Sequence, residues 1–438
     1  MRHIMMRACC WAVAAGICLS SIGRSEPPAA PPTIETFIEQ LGSREFRARE
    51  AAAKALAARA EEALPAMRKA RQHPDLEIRK RLEQLIADAE RVAILAPQRV
   101  TMKFEGPLKE ALGELSRISG YRIDLQGGAQ KQFVAIDVTN VTFWEALDRL
   151  SAQAGLVLQQ HHDMNGGVIL SAQNVVAPFV DYRGPFRVWA TGFHYNKSMT
   201  FGAIPRTPGA GPQRTEQLSF MFSVVAEPKL PLLGLGQPRL AIALDDQDQS
   251  LVPPPVKNGL YETYHSGYYG YRNLVLQTQL QLLGPSANAR AIKHIKGALP
   301  VTLLAEQRPE IVIEPILTVK DKKFDGKDVT IEITEVKEQP GRMVHVVLTA
   351  RRGGKEQPHD YTWTNSLHQR IELTDDHGRK FQSHGFNWTN GTPTTVQGTF
   401  VFGDGGNAQL GKPQKLTYYA WVTMQHQIEF EFRDLPLP

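Results

Sequence analysis

The chain has 438 residues, 42% of them hydrophobic, and a formal charge of +5 from 50 basic against 45 acidic residues. That length and hydrophobic share suit about three cored domains and exclude a disordered chain. Bases interspersed with acids, as in RKRLEQLIADAER, exclude the continuous basic stripe of a nucleic-acid binder.

The first element, residues 1–26, reads as an export signal with the start of a linker. Arg2 and Arg7 flank the apolar run ACCWAVAAGICLSSIG, which is shorter than the roughly 20 residues of a membrane helix. Cys9, Cys10 and Cys18 are the chain's three cysteines, so cleavage leaves a mature protein without thiol chemistry. Ile17 before Cys18 lacks the small side chain that lipid attachment requires, and no later run is long and apolar enough for a transmembrane segment.

Residues 33–95 follow the linker SEPPAAPP and predict helices, being rich in alanine, leucine, arginine and glutamate. Ser43 is expected to cap one helix, with Phe46, Ala52 and Leu56 on its apolar side. Asp75 is expected to cap the last, where Ile78, Leu82, Leu85, Ala89 and Val92 recur at spacings of three and four. Residues 98–172 contain an internal repeat, EALGELSRISGY from Glu110 and EALDRLSAQAGL from Glu145. Each copy predicts a strand, helix, strand unit. The strands are VTMKF, YRIDL, VAIDV and LVLQQ, with VILSA closing a hairpin over DMNGG. Leu112, Leu115, Leu147 and Leu150 are expected to face the sheet, and Gly120 and Gly155 to end the helices.

From residue 178 the periodicity turns to β, with FRVWATGFHY, SFMFSVVAE, RLAIALDD, LVLQTQLQLL and EIVIEPIL. A second series follows in much the same order: VTIEITEVKE, MVHVVLTARR, RIELTDDHG, TVQGTFVF, LTYYAWVTM and IEFEFRDL. The pattern predicts a tandem duplication, two antiparallel β-sandwiches over residues 178–318 and 324–438. The expected fold class is multidomain α+β: N-terminal helices, a small α/β module of repeated units, then two tandem β-sandwich-like domains.

Two stretches resemble known families. LGSREFRAREAAAKAL, ALPAMRKA and HPDLEIRKRLEQL resemble HEAT repeats, enough for one to two copies. Pro107 to Leu112 and Asn140 to Leu156 resemble the secretin and TonB short N-terminal domain, with its PLxEAL and NVTxxEALDxLxxxxGL pattern. That resemblance implies a periplasmic α/β module that mediates protein contacts. No barrel follows it, so transport is not implied. The chain as a whole resembles uncharacterised exported bacterial proteins with a β-rich C-terminal half.

Motifs for catalysis are weak. GNAQLGKP, from Gly406 to Pro413, has the spacing of a phosphate loop, but Pro413 stands where a magnesium-binding hydroxyl is needed and strands are predicted on both sides. Asp245, Asp246 and Asp248, like Asp375, Asp376 and His377, follow strands and read as turn residues; Asp404 and Asn407 read the same way. His161 and His162 are adjacent on a predicted strand, which points them to opposite faces, while Asp163 leads into the turn. The sequence therefore predicts no catalytic, cofactor or metal residues. YETYHSGYYGYR concentrates Tyr261, Tyr264, Tyr268, Tyr269 and Tyr271, whose rings and hydroxyls suit recognition of a protein or a glycan; they form the candidate binding surface. The expected function is a non-catalytic interaction or scaffolding protein, periplasmic or envelope-associated, with an envelope or secreted protein as partner. The alternatives are carbohydrate binding through the tyrosines, and a hydrolase using loop carboxylates.

Overall fold

The computed structural model describes residues 32–127, 131–159, 167–173, 177–200, 213–254, 267–273, 275–354 and 361–437. The chain divides into two compact units, Met1–Ala93 and Ile94–Pro438. The export-signal expectation lies outside the described residues.

The first unit is helical: α1 (Ile34–Gln40), α2 (Phe46–Ala58), α3 (Ala60–Lys69) and α4, which begins at Leu76. Ile38, Leu41, Ala52, Leu56, Met67, Ile78, Leu82 and Ile86 form its core. Gly42 lets α4 approach closely, since a Cβ there would lie 2.9 Å from the Ile78 side chain. Asp75 caps α4 as expected, accepting the amides of Glu77 at 2.7 Å and Ile78 at 3.2 Å. Ser43 does not cap α2; its hydroxyl accepts the Glu45 amide in the preceding turn. Phe46 and Val92 also depart from the expected stripes, being 64% and 65% exposed; on α4, Ile86 is buried between Leu82 and Ala89.

The second unit opens with an α/β module: β1 (Arg99–Pro107), α5 (Leu108–Ser119), β2 (Arg122–Gln126), β3 (Phe133–Thr142), α6 (Phe143–Ala154), β4 (Leu156–Leu158) and β5 (Gly167–Ala172). Gly120 and Gly155 end the two helices with φ of +73° and +59°, the left-handed conformation that glycine accepts without strain. Thr142 and Glu145 form a reciprocal capping box at the start of α6. The repeats interleave rather than stack. β1 pairs antiparallel with β3, whereas β2 runs parallel to β5, which also pairs with β4. Leu112, Leu115, Leu147 and Leu150 are buried between these two sheets.

Twenty strands in all are described, the remaining fifteen building the β region. They are β6 (Val180–Arg183), β7 (Phe186–Thr200), β8 (Gln213–Ala226), β9 (Leu232–Leu235), β10 (Arg239–Asp245), β11 (Gly267–Asn273), β12 (Val275–Leu282) and β13 (Ala291–Ile313), then β14 (Lys322–Asp325), β15 (Val329–Gln339), β16 (Met343–Arg352), β17 (Ile371–Asp375), β18 (Gln382–Gly391), β19 (Thr395–Gly403) and β20 (Pro413–Pro436), with helix α7 (Thr362–Arg370) before β17. The outer sheet of the first half has the order β12-β8-β7-β6, and that of the second has β18-β19-β16-β15-β14, so β19-β16-β15-β14 repeats the first order strand for strand. β10 lies on β13 as β17 lies on β20.

The halves are joined by their last strands. β13 and β20 pair antiparallel from Ala291↔Pro436 to Ile313↔Leu416, one long ribbon running through both cores. Ile292, Ile295 and Leu299 of β13 enter the first core, and Ile311 and Ile313 enter the second. β20 does the reverse: Leu416 and Tyr418 enter the second core, Ile428, Phe430, Phe432 and Leu435 the first. LTYYAWVTM and IEFEFRDL, expected as two strands, are thus one. The structure also adds α7, whose Trp363 and Leu367, one turn apart, are buried in the second core.

Candidate functional site

The α/β module is seated on the outer face of the first β sheet, and α6 supplies much of the contact. Trp144, Leu147, Asp148 and Ser151 share one side of this helix through spacings of three and four. Trp144 is buried and donates from its ring nitrogen to the Pro185 carbonyl at 3.1 Å. Asp148 accepts from Arg187 Nε and from the Tyr182 hydroxyl, both at 2.6 Å. The Arg187 guanidinium lies 4.4 Å from the Trp189 ring centre, a cation over an aromatic face. Burial, followed by the charge of Asp148, raises the Tyr182 hydroxyl above its ordinary range, so it remains a proton donor.

A second lock surrounds Glu227, which is fully buried. Its carboxylate accepts the Gln98 amide at 2.9 and 3.0 Å and the Tyr121 hydroxyl at 2.9 Å, with Lys229 Nζ at 3.7 Å. Burial pushes the Glu227 carboxyl up, against the opposing pull of Tyr121, Gln98 and Lys229. Tyr121 is raised by burial and by the Glu227 charge. Both groups tie the start of the module to the β region.

Beside these locks a cleft of about 600 Å³ opens between α6, β4 and β5 on one side and β6 and β7 on the other. Leu147, Leu156, Leu158 and Leu170 face Val180 and Trp189 across it. Ser151 lines the cleft, is 7% exposed, and its hydroxyl has no hydrogen-bond partner among the described residues. The arrangement offers apolar contact and a self-paired polar end. It assembles no nucleophile beside a base.

The aspartate clusters are duplicated turns. Asp245 is buried and accepts the amides of Gln247, Gln249 and Ser286 at 3.0, 2.8 and 2.9 Å. Asp375 does the same for His377, Arg379 and Gly411 at 2.9, 2.8 and 2.8 Å, and also accepts Arg379 Nε at 2.7 Å. Burial would raise both carboxyls, but the combined hydrogen bonds outweigh it and hold them below the usual carboxylate range. Asp375, Asp376 and His377 place potential metal-ligating atoms within 4.8 Å of one another. Asp375's oxygens, however, are already occupied by four N–H donors, while Asp376 bonds the His377 ring.

The other candidates are dispersed. Asp404 accepts the Gly406 amide and Asn407 the Gln409 amide, both in the loop between β19 and β20, so GNAQLGKP joins two strands. Tyr261, Tyr264, His161, His162 and Asp163 lie outside the described residues. Tyr268, Tyr269 and Tyr271 fall on β11, the outermost strand of its sheet. Arg187 and Glu227 escaped the sequence reading because each is a lone polar residue whose partners are distant in the chain, and Ser151 because nothing local marks an unpaired hydroxyl. The one available signal was Glu227 at the end of the apolar run SFMFSVVAE.

A family model described as DotD protein matches residues 51–161, about a quarter of the chain. The match runs from α2 through the helices and into the α/β module as far as β4. No curated protein and no solved structure matches.

Proposed function

We propose that this chain is a non-catalytic scaffolding component of a secretion assembly in the cell envelope. The observation that carries the reading is the DotD match over residues 51–161, because that family is an envelope-associated part of a type IV secretion system. The fold is compatible with such a role. A module bolted to a sandwich by Trp144, Asp148 and Glu227 presents its surfaces in fixed relation, as a structural connector requires. Among the described residues, no helix is long and apolar enough to cross a membrane.

The HEAT and secretin/TonB resemblances rest on their sequence motifs alone, and the DotD match covers the same region. In this reading the module contributes the contact with an envelope protein. Tyr268, Tyr269 and Tyr271 on β11 remain a proposed second binding surface, testable by Tyr268→Ala combined with Tyr271→Ala.

Chemical cross-linking of a tagged full chain in intact cells, followed by envelope fractionation, tests the role. A discrete cross-linked species of higher mass in the envelope fraction is expected. Recovery of the chain only as an uncross-linked monomer, or outside the envelope fraction, overturns the reading.

A further inference from the structure

We infer that β12 is a docking edge on which a second copy of this chain pairs its own β12 antiparallel, joining the two outer sheets into one. β12 is the outermost strand of the sheet β12-β8-β7-β6. It pairs with β8 from Val275↔Val225 to Leu282↔Leu218 without a register shift. In such a ladder every second residue turns its N–H and C=O away from the neighbouring strand. Among the described residues, no backbone hydrogen bond of β12 leads to anything but β8. A row of main-chain donors and acceptors at strand spacing is matched by another strand and not by an acyl chain or a detergent, so the occupant is a polypeptide.

The other edges of the β region carry devices that discourage strand addition. β6 and β14 are four residues long and charged, through Asp181 and Arg183 on one and Lys322 and Lys323 on the other. β18 shifts register at Ser383–Gly385 and again at Trp388–Asn390, and β10 also shifts twice. β17 is five residues long and includes Glu372 and Asp375. On β11 the Gln369 side chain of α7 takes the Arg272 amide. β12, with the sequence VLQTQLQL, has no charge, proline, glycine or register shift. Its pattern is also self-complementary. Opposed residues of an antiparallel pair point to the same face, so Leu276, Leu280 and Leu282, buried in the first core, meet core-facing residues only if the two-fold axis passes through a residue. With the axis at Gln279, Leu276 stands opposite Leu282, exposed Gln277 opposite exposed Gln281, and exposed Gln279 opposite its own counterpart. Glutamine amides both donate and accept, so these pairs satisfy one another, and an uncharged strand meets no repulsion from its copy. With no charge on β12 to select a different partner, the strand that its pattern matches is its own.

Sedimentation velocity on the purified full chain reads the oligomeric state of wild type, of Gln279→Lys, of Gln279→Glu and of an equimolar mixture of the two variants at neutral pH. Wild type should sediment as a dimer. Each variant alone sets a like charge against its own copy and should weaken self-association about tenfold or more, whereas the mixture should recover the dimer by setting lysine against glutamate. Gln279 is exposed, so neither charge enters the core. If either variant alters the circular dichroism, the flanking positions serve instead. Gln277→Lys with Gln281→Lys should then dissociate the dimer, and Gln277→Lys with Gln281→Glu should keep it. A wild type that stays monomeric at its highest soluble concentration overturns the assignment and leaves β12 to a strand of another protein. A dimer indifferent to charge at these positions also overturns it, because its contact lies elsewhere. So does a mixture that stays as dissociated as its two components.

Discussion

Two buried carboxylates on this protein respond to pH in opposite senses. Asp375 is held below its ordinary range by hydrogen bonds, so its charged form is favoured more in the folded chain than in the unfolded one. Its contribution to stability is present at neutral pH and declines once the pH drops below about 4, the unfolded aspartate value. Asp375→Asn should therefore lower the urea midpoint at pH 7, and the difference from wild type should narrow in acid. Glu227 is raised by burial, so protonation favours the folded chain. The unfavourable buried charge is greatest at neutral pH and is relieved as the pH falls through the folded value toward about 4.3, the unfolded glutamate value. Relative to Glu227→Gln, which cannot titrate, wild type should gain stability over that descent. Glu227→Ala is a different case. It strips the Gln98 amide and the Tyr121 hydroxyl of their acceptor, and should destabilise by about 2–3 kcal/mol at pH 7 in denaturant unfolding. These roles are only partly visible locally: Asp375 reads as a turn residue in sequence and bonds His377 and Arg379 nearby, but its Gly411 partner lies 36 positions away.

Elements with their own punctuation were legible. The helices of the α/β module could be placed from their leucine spacing and from Gly120 and Gly155, because left-handed helix ends are satisfied within a few residues. Two elements were not. β13 contains Pro300 and Pro309, which argue against a continuous strand. In the structure Pro300 sits where the neighbour changes from β10 to β9, and Pro309 borders a bulge, so neither missing N–H interrupts a regular ladder. α7 is short and polar apart from Trp363 and Leu367, and it is held by burial rather than periodicity. On α6, Trp144 faces the β region and joins the module to it. Trp144→Ala should cost about 3–5 kcal/mol, and hydrogen exchange should show lost protection in β6 and β7 as well as in α6. Loss confined to α6 would count against the joint.

At the scale of the molecule, the reciprocal ribbon makes the end of the chain part of the core of the first half of the β region. Deleting residues 424–438 removes Ile428, Phe430, Phe432 and Leu435 from a core otherwise built by residues 186–303. Limited proteolysis should then cut the first half of the β region, more than a hundred residues upstream, at least as fast as the second. A first half that stays resistant would show that the ribbon is dispensable. The two strand series were readable, since alternation of apolar residues is a property of each strand alone. The exchange of strand ends between cores was not. An alternating strand specifies which of its faces is buried but not which sheet lies opposite, and both halves offer nearly the same pattern. Helix and strand types and turn chemistry depend on neighbours in the chain, and the order of residues was sufficient for those. The seating of the module, the cleft beside α6 and the shared β13–β20 ribbon depend on partners separated by tens to hundreds of residues, and only close packing in three dimensions selects among the pairings the sequence allows.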